Sequence, residues 1–341
     1  MKRWSFTRRM FGVCAAAVTL AACGGSQMQN GMLSPDIAQA PHGAPGDGLG
    51  SANAMAHSSS RKGRSWMDPA AASRTLIYGA GDVSSYVFTT GGQVIGNIAE
   101  IALSTCSDRN GDVFFNKVNS IVEYAHGGTT PIASYGVPGT AYSCSVDPTT
   151  GDLAAVVFCE SGCGDSVVVL STPGKKILSY SDSALPSLLY CAYDSSGNLY
   201  VDGYSGSQFG LAELPASGTA LATITVNQNI QFAGQIQWDG QYLAVTTIIH
   251  PAVDQIQVTG STATVVNTTE LKGVGPRSTQ SWIYRNKIAV PTGVVRARST
   301  EILFWKYPQG GSPVRVFTHF IGKGHAEITG VTVSEPPKKQ R

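Results

Sequence analysis

The chain predicts an all-β fold: a six-bladed β-propeller closed by pairing of its N- and C-terminal strands, preceded by an export signal and a disordered tether. Three observations carry the prediction. A strand-turn-strand unit recurs at a period near 45 residues, the length of a blade of four short strands. Glycine supplies 39 of the 341 residues, beside abundant Ser, Thr and Val, which favours strands and tight turns. No long stretch repeats apolar residues at helical spacing.

The first element is residues 1–22. Met1-Lys2-Arg3 and Arg8-Arg9 precede an apolar run from Phe11 to Leu20, followed by Ala21-Ala22-Cys23-Gly24. A basic start, a short apolar stretch and small residues before a cleavage point make a secretory signal, too short for a stable membrane span. Leu20-Ala-Ala-Cys23 resembles the lipobox of bacterial lipoproteins, in which the cysteine is acylated and becomes the first residue of the mature chain. The resemblance implies a palmitate-bearing lipid anchor at Cys23, holding the protein to a membrane without a transmembrane helix. Gly24, where the inner-membrane retention signal would have Asp, points by resemblance to the outer membrane. Thr7-Arg8-Arg9-Met10-Phe11 also looks like a twin-arginine export motif, and both that route and the Sec route stay open. The other reading is an ordinary signal peptide that happens to carry a cysteine.

Residues 23–74 read as the tether. They run through Gly, Ala, Pro, His and Ser with almost no β-branched residues, and so bury too little apolar area to offset ordering entropy. Roughly fifty such residues span about 40 Å end to end. Trp66 and Met67 mark the point where this segment docks on the head.

Residues 75–335 are the predicted propeller. Cys106-Ser-Asp-Arg-Asn-Gly-Asp112-Val-Phe, Cys144-Ser-Val-Asp-Pro-Thr-Thr-Gly-Asp152-Leu-Ala and Cys191-Ala-Tyr-Asp-Ser-Ser-Gly-Asn198-Leu-Tyr-Val are one unit three times over. Gln237-Trp-Asp-Gly-Gln-Tyr-Leu-Ala-Val is a fourth, and Trp282-Ile-Tyr-Arg-Asn-Lys-Ile-Ala-Val a degenerate fifth. Between Asp108, Asp147, Asp194, Asp239 and Tyr284 the spacings are 39, 47, 45 and 45 residues. Ser166-Val-Val-Val-Leu-Ser, Pro173-Gly174 and Lys176-Ile-Leu-Ser-Tyr supply a third strand, a turn and a fourth strand. Ser120-Ile-Val-Glu-Tyr with Pro131-Ile-Ala-Ser-Tyr, and Phe304-Trp-Lys-Tyr with Val314-Arg-Val-Phe-Thr, repeat that pattern. Gly330-Val-Thr-Val-Ser334 is a first strand with nothing after it, and Leu76-Ile-Tyr-Gly-Ala begins a blade at its second strand. Joined, they complete a sixth blade and remove the bare edges of a linear array. Residues 336–341 form a basic tail.

Charge excludes one class of partner. Of 24 Lys and Arg side chains, Lys2, Arg3, Arg8 and Arg9 lie in the signal, leaving 20 against 22 acidic side chains. A balance near zero with 13% charged residues gives no electrostatic footprint for nucleic acid.

The Asp-x-x-Gly-Asp/Asn-Leu hairpin at this period resembles the six-bladed propellers of the NHL-repeat and gluconolactonase-like group. Lipobox, tether and propeller together resemble an uncharacterised set of bacterial surface lipoproteins. These motifs are structural, and they identify fold rather than activity. Lactonase-type propellers, by that resemblance, hold an axial divalent ion with acidic and amide side chains. The positions before each first strand here are Gly139-Thr140-Ala141, Pro186-Ser187-Leu188, Phe232-Ala233-Gly234, Thr279-Gln280-Ser281 and His325-Ala326-Glu327. Glu327, with Glu100, is the candidate for part of a metal site, and an acid pairing with a turn amide is the competing reading. The recurrent Asp residues, Asp108 to Asp112 included, read as turn formers rather than calcium ligands. No cofactor is implied.

Five cysteines remain after the signal and Cys23. Cys159-Glu-Ser-Gly-Cys163 spans a predicted hairpin loop, which a Cys159–Cys163 disulfide would clamp. Cys106 lies two residues before its Asp, whereas Cys144 and Cys191 lie three before theirs, so alternation puts Cys106 on the opposite sheet face. Facing blades then allow a Cys106–Cys144 bond and disfavour Cys144 to Cys191. Small buried side chains packing between blades are the other reading of that pair.

The expected function is that of a monomeric binding or interaction module at the cell envelope, its partner an unidentified protein, glycan or small molecule. A metal-dependent lactonase-like hydrolase and a scaffold in an envelope complex are the alternatives. Tyr190, Trp238, Trp282 and Trp305 are the aromatic side chains available to face a ligand; inter-blade core is the competing reading, and none is named as a site.

Overall fold

A computed structural model describes residues 64–159, 164–171, 176–248, 251–273, 280–292, 299–320 and 327–337. All belong to the compact unit Ile37–Arg341. The signal, Cys23 and the greater part of the tether lie outside the described residues, as do Cys163, His325 and the end of the basic tail.

Among the described residues the fold is all-β and propeller-like, with one short 3-10 turn at Ala71–Ser73. Successive antiparallel meanders account for the strands. The first comprises β1 (Trp66–Met67), β2 (Leu76–Gly81), β3 (Ser85–Thr89) and β4 (Val94–Ile98), followed by β5 (Ser104–Ser107), β6 (Val113–Tyr124) and β7 (Pro131–Val146). β7 continues into β8 (Leu153–Phe158), β9 (Ser166–Ser171) and β10 (Lys176–Tyr180). Next come β11 (Ser187–Tyr193), β12 (Leu199–Ser205), β13 (Gln208–Leu214) and β14 (Ala222–Val226). β15 (Ala233–Trp238), β16 (Leu243–Thr247), β17 (Ala252–Thr259) and β18 (Thr262–Glu270) follow. The last set is β19 (Trp282–Tyr284), β20 (Lys287–Thr292), β21 (Ser299–Lys306) and β22 (Gly310–Phe320), and then β23 (Ile328–Ser334). β23 returns to pair antiparallel with β2, Leu76 opposite Ser334 and Ala80 opposite Gly330. The terminal strands therefore share one sheet, ordered β1-β4-β3-β2-β23.

The core lies between meanders rather than inside one. β8 shows why: Leu153, Ala155 and Val157 pack toward Cys106 and Phe114, while Ala154 and Val156 pack toward Leu188 and Val201. With both faces covered, alternation disappears from the sequence, and the strand reads Leu-Ala-Ala-Val-Val-Phe. The first strands touch in cyclic order: β23 meets β5, β5 meets β7, β7 meets β11, β11 meets β15, β15 meets β19, and β19 meets β23. Polar side chains stitch neighbours together. The Ser145 hydroxyl accepts the Tyr193 N–H at 3.0 Å, Ser107 donates to the Val333 carbonyl at 2.8 Å, and Gln237 exchanges both amide bonds with Ile283 at 2.6 and 3.0 Å.

Two expectations are corrected. The tether was predicted to run to residue 74, yet residues 65–74 lie on the head. Trp66 and Met67 pair with Asn97 and Gly96, the Ser65 hydroxyl accepts the Ala99 N–H at 2.9 Å, and Ala71 is buried. Main-chain bonding to an otherwise open strand edge supplies the order that composition does not. Residues 120–124 and 131–135 were predicted as separate third and fourth strands. Instead β6 and β7 are continuous, and this meander lacks a fourth strand. Asn119-Ser120 is a pair of turn-forming type within 113–124, yet Asn119, at φ 59°, makes only an irregularity there. The interval of 39 residues where the others are 45 to 47 is that missing strand.

Candidate binding site

The Asp hairpins serve their own turns. The Asp108 carboxylate accepts the N–H groups of Asn110 and Asp112 at 2.9 and 2.8 Å, Asp147 those of Thr149 and Thr150, and Asp194 those of Ser196 and Asn198. Asp239 adds longer-range partners: Gln255 and the Tyr307 hydroxyl donate to its second oxygen, each at 2.7 Å. Burial raises the Asp239 carboxyl, but the bonds from Tyr307, Tyr242, Gln241 and Gln255 together outweigh it and hold the group below its ordinary value.

Glu100 and Glu327 do not assemble a metal centre among the described residues. The Glu100 carboxylate is held by Lys117 Nζ at 2.5 Å and by the Tyr124 hydroxyl at 3.0 Å. Glu327 is pinned through its main chain, its N–H to the Asp82 carboxylate at 2.7 Å and its carbonyl to the Asp82 N–H at 3.2 Å. Nowhere among the described residues do three His, Cys, Asp or Glu side chains gather at metal-binding distance. Cys23 lies outside those residues. Cys106 and Cys144 form a disulfide between β5 and β7, with Cα atoms 5.8 Å apart. Cys159 is disulfide-bonded, and the predicted partner Cys163 lies outside the described residues. Cys191 is a buried free thiol that burial pushes up to about 12.

Where the first strands converge lies Gln280, at one of the axial positions and without an acidic side chain. Its side chain is 1% exposed, and its amide takes both backbone groups of Thr105, accepting the N–H at 3.2 Å and donating to the carbonyl at 2.8 Å. The bond bridges from the entrance of β19 to β5 across β23, where Gly330 leaves room: a Cβ there would lie 1.7 Å from Gln280 Oε1. Trp282 reaches the same region and packs on the cluster containing the Cys106–Cys144 bond.

The concave site lies between β19–β22 and the sheet closed by β2 and β23. Register builds it from two rows of side chains. Trp282 is opposite Ala289, Ala289 opposite Phe304, and Phe304 opposite Arg315, so these four share one face. The second row, two residues along, is Tyr284, Lys287 and Lys306. The alanine between two aromatic side chains leaves a hollow of about 260 Å³, walled on the far side by Ile77, Val333 and Thr90. Arg315 donates to the Thr90 carbonyl across the mouth. Tyr284 donates to Glu335, whose carboxylate also pairs with Arg285 at 2.7 Å. Burial and then the bond to Glu335 raise the Tyr284 phenol. Of the four aromatic residues noted in the sequence, Tyr190 and Trp305 are buried core, and Trp282 is the one that lines this hollow. The signal that finds the site is the pairing of Lys287 with Lys306, which needs the hairpin register and not composition.

No family model matches the chain, and no curated protein matches it. Solved structures do. A chain in the crystal structure of a nidogen/laminin complex superposes with a TM-score of 0.61 at 12% identity, covering 77% of this chain and 100% of that one. A protein of unknown function from Bacteroides caccae gives 0.55 at 11% identity, covering 77% of this chain and 99% of its own. A functionally unknown protein from Desulfotomaculum acetoxidans gives 0.54 at 12% identity, covering 77% and 100%. The likeness is one of fold: a propeller-like all-β arrangement.

Proposed function

We propose that this is a cell-envelope lipoprotein, anchored through Cys23 and exported by the Sec or twin-arginine route, whose head is a six-bladed NHL-like propeller acting as a binding or interaction module. The cyclic contacts of β23, β5, β7, β11, β15 and β19 support six blades, the second one short of a strand. The observation that carries the binding reading is the aromatic hollow beside β19–β22, with cations at its mouth and no Asp, Glu, His, Cys or Ser among its lining residues. The Leu20-Ala-Ala-Cys23 sequence supports the anchor, and Gly24 after it, by resemblance, an outer-membrane address. The head works as a monomer on an unidentified protein, glycan or small molecule.

The test is to label cells with palmitate, fractionate them, and measure the metal content of the full chain after dialysis against a limited mixture of divalent ions. Label lost on Cys23→Ala, with no stoichiometric metal, is the expected outcome. Stoichiometric metal that disappears in Glu327→Gln would replace the binding module with a lactonase-like hydrolase.

A further inference from the structure

We propose that the hollow between β19–β22 and the β2–β23 sheet binds a small organic anion built on one apolar ring, a single-ring carboxylate. The inference rests on the binding-module reading and names the ligand class of that site.

Size comes first. About 260 Å³ is just below the usual range of pockets for drug-sized ligands and suits one ring with a short substituent. The walls fix its character: Trp282 and Phe304 flank the gap over Ala289, while Ile77 and Val333 close it from the facing sheet. A flat apolar body fills such a slot with ring contacts on two sides.

Charge fixes the other end. Lys287 and Lys306 are directly opposite one another on adjacent strands and point to the same face. Like charges at opposed positions destabilise a sheet, so the pair costs the free protein stability unless an anion is shared between them. No carboxylate lies within ion-pair distance of either among the described residues, and none lines the hollow. Glu335, beside Tyr284, is already taken by Tyr284 and Arg285. Arg315, which closes the row from β22, donates one N–H to the Thr90 carbonyl and keeps further donors for a ligand oxygen. Apolar floor and cationic mouth together select an amphiphilic anion over a neutral ring or a bare ion.

Calorimetric titration of the full chain with phenylacetate tests this, with phenylacetamide, acetate and phenethylamine as controls. Phenylacetate is expected to saturate one site, with the controls about tenfold weaker or worse. Lys287→Gln/Lys306→Gln is expected to weaken phenylacetate by about tenfold while leaving the thermal midpoint unchanged or raised, because the repulsion is gone. Ala289→Leu, which fills the hollow, is expected to abolish binding. Equal affinity for the amide, binding indifferent to the lysine pair, or no saturation by about 10 mM phenylacetate would each overturn the inference. Those failures leave the palmitate and metal results standing, so they sink the ligand class without sinking the binding module.

Discussion

The Cys106–Cys144 bond gives the most quantitative expectation. It closes a loop of 38 residues, joining the first strand of one meander to the first strand of the next near the convergence of the strands. Chain-entropy arithmetic for a loop of that length gives about 13 cal/mol/K taken from the unfolded ensemble, or about 4 kcal/mol at 25 °C. Both half-cystines are essentially solvent-free, at 0% and 1% exposure. Cys106→Ala/Cys144→Ala therefore also leaves a small void in the cluster that Trp282 packs on, adding about 1 kcal/mol. Urea unfolding of the double variant should lose about 4–5 kcal/mol, and the thermal midpoint should fall by about 8–15 °C for a head of this size. Cys191→Ala is the control, since that thiol is buried in a different cluster, is not disulfide-bonded, and is met by the Ser143 hydroxyl at 3.7 Å and by the Val156 main chain. A double variant within about 1 kcal/mol of the parent would refute the reasoning, because it would mean the two strands are equally constrained without the bond.

Three further expectations concern buried polar groups. Asp202 is fully buried and accepts the Tyr190 N–H freed at the β11–β12 bulge, while its other oxygen lacks a partner among the described residues; burial raises its carboxyl well above the usual range. The folded state keeps a proton that the unfolded chain releases above about pH 4, so stability falls as pH rises from there; Asp202→Asn should be more stable than the parent at pH 8 and level with it at pH 4, and equal destabilisation at both would contradict this. His126 bridges the Arg74 carbonyl and the Ser334 hydroxyl at the β2–β23 closure, with Asp112 bonded to its main chain, and burial lowers its imidazole. Its contribution is complete above the ordinary histidine range and is lost as pH falls through and below it, so chemical-denaturation midpoints at pH 7.5 and 5.5 should differ more for the parent than for His126→Gln. Gln280→Ala strips two buried backbone groups of Thr105 and should cost about 2–5 kcal/mol. Gly330→Ala should be severe alone and milder on top of Gln280→Ala, whereas strictly additive midpoints would deny the contact.

Much of the fold was legible because the Asp-turn unit is local. Asp108, Asp147, Asp194 and Asp239 each bond main chain within four residues, so their spacing reports strands and turns without any tertiary knowledge. The face argument for Cys106 and Cys144 was legible too, since alternation is a property of the strand alone. What escaped is whatever depends on neighbours. The merging of residues 113–124 into one strand hinges on pairing with β7, and the edge of β4 that Trp66 and Met67 dock on, though docking there was expected, is known only from the sheet. The hollow needs Ala289 to lie between Trp282 and Phe304, residues seven and fifteen positions away in the chain. Gln280 was passed over as a neutral side chain at an expected acid position, because nothing local says that it will meet Thr105 from 175 residues upstream.

The pairing of β23 with β2 also sets a timetable. A chain made from its N-terminus presents β2 long before residues 328–334 exist, so throughout synthesis Leu76–Gly81 waits with one flank bare. Everything between is an arc that completes only when the last strand arrives, and Ser334 then reaches both Gly111 and His126 in the same step. Loss of those few late residues would spoil the assembly of the two hundred and more that precede them. That makes the last moments of synthesis the point at which a finished head and an aggregation-prone one diverge.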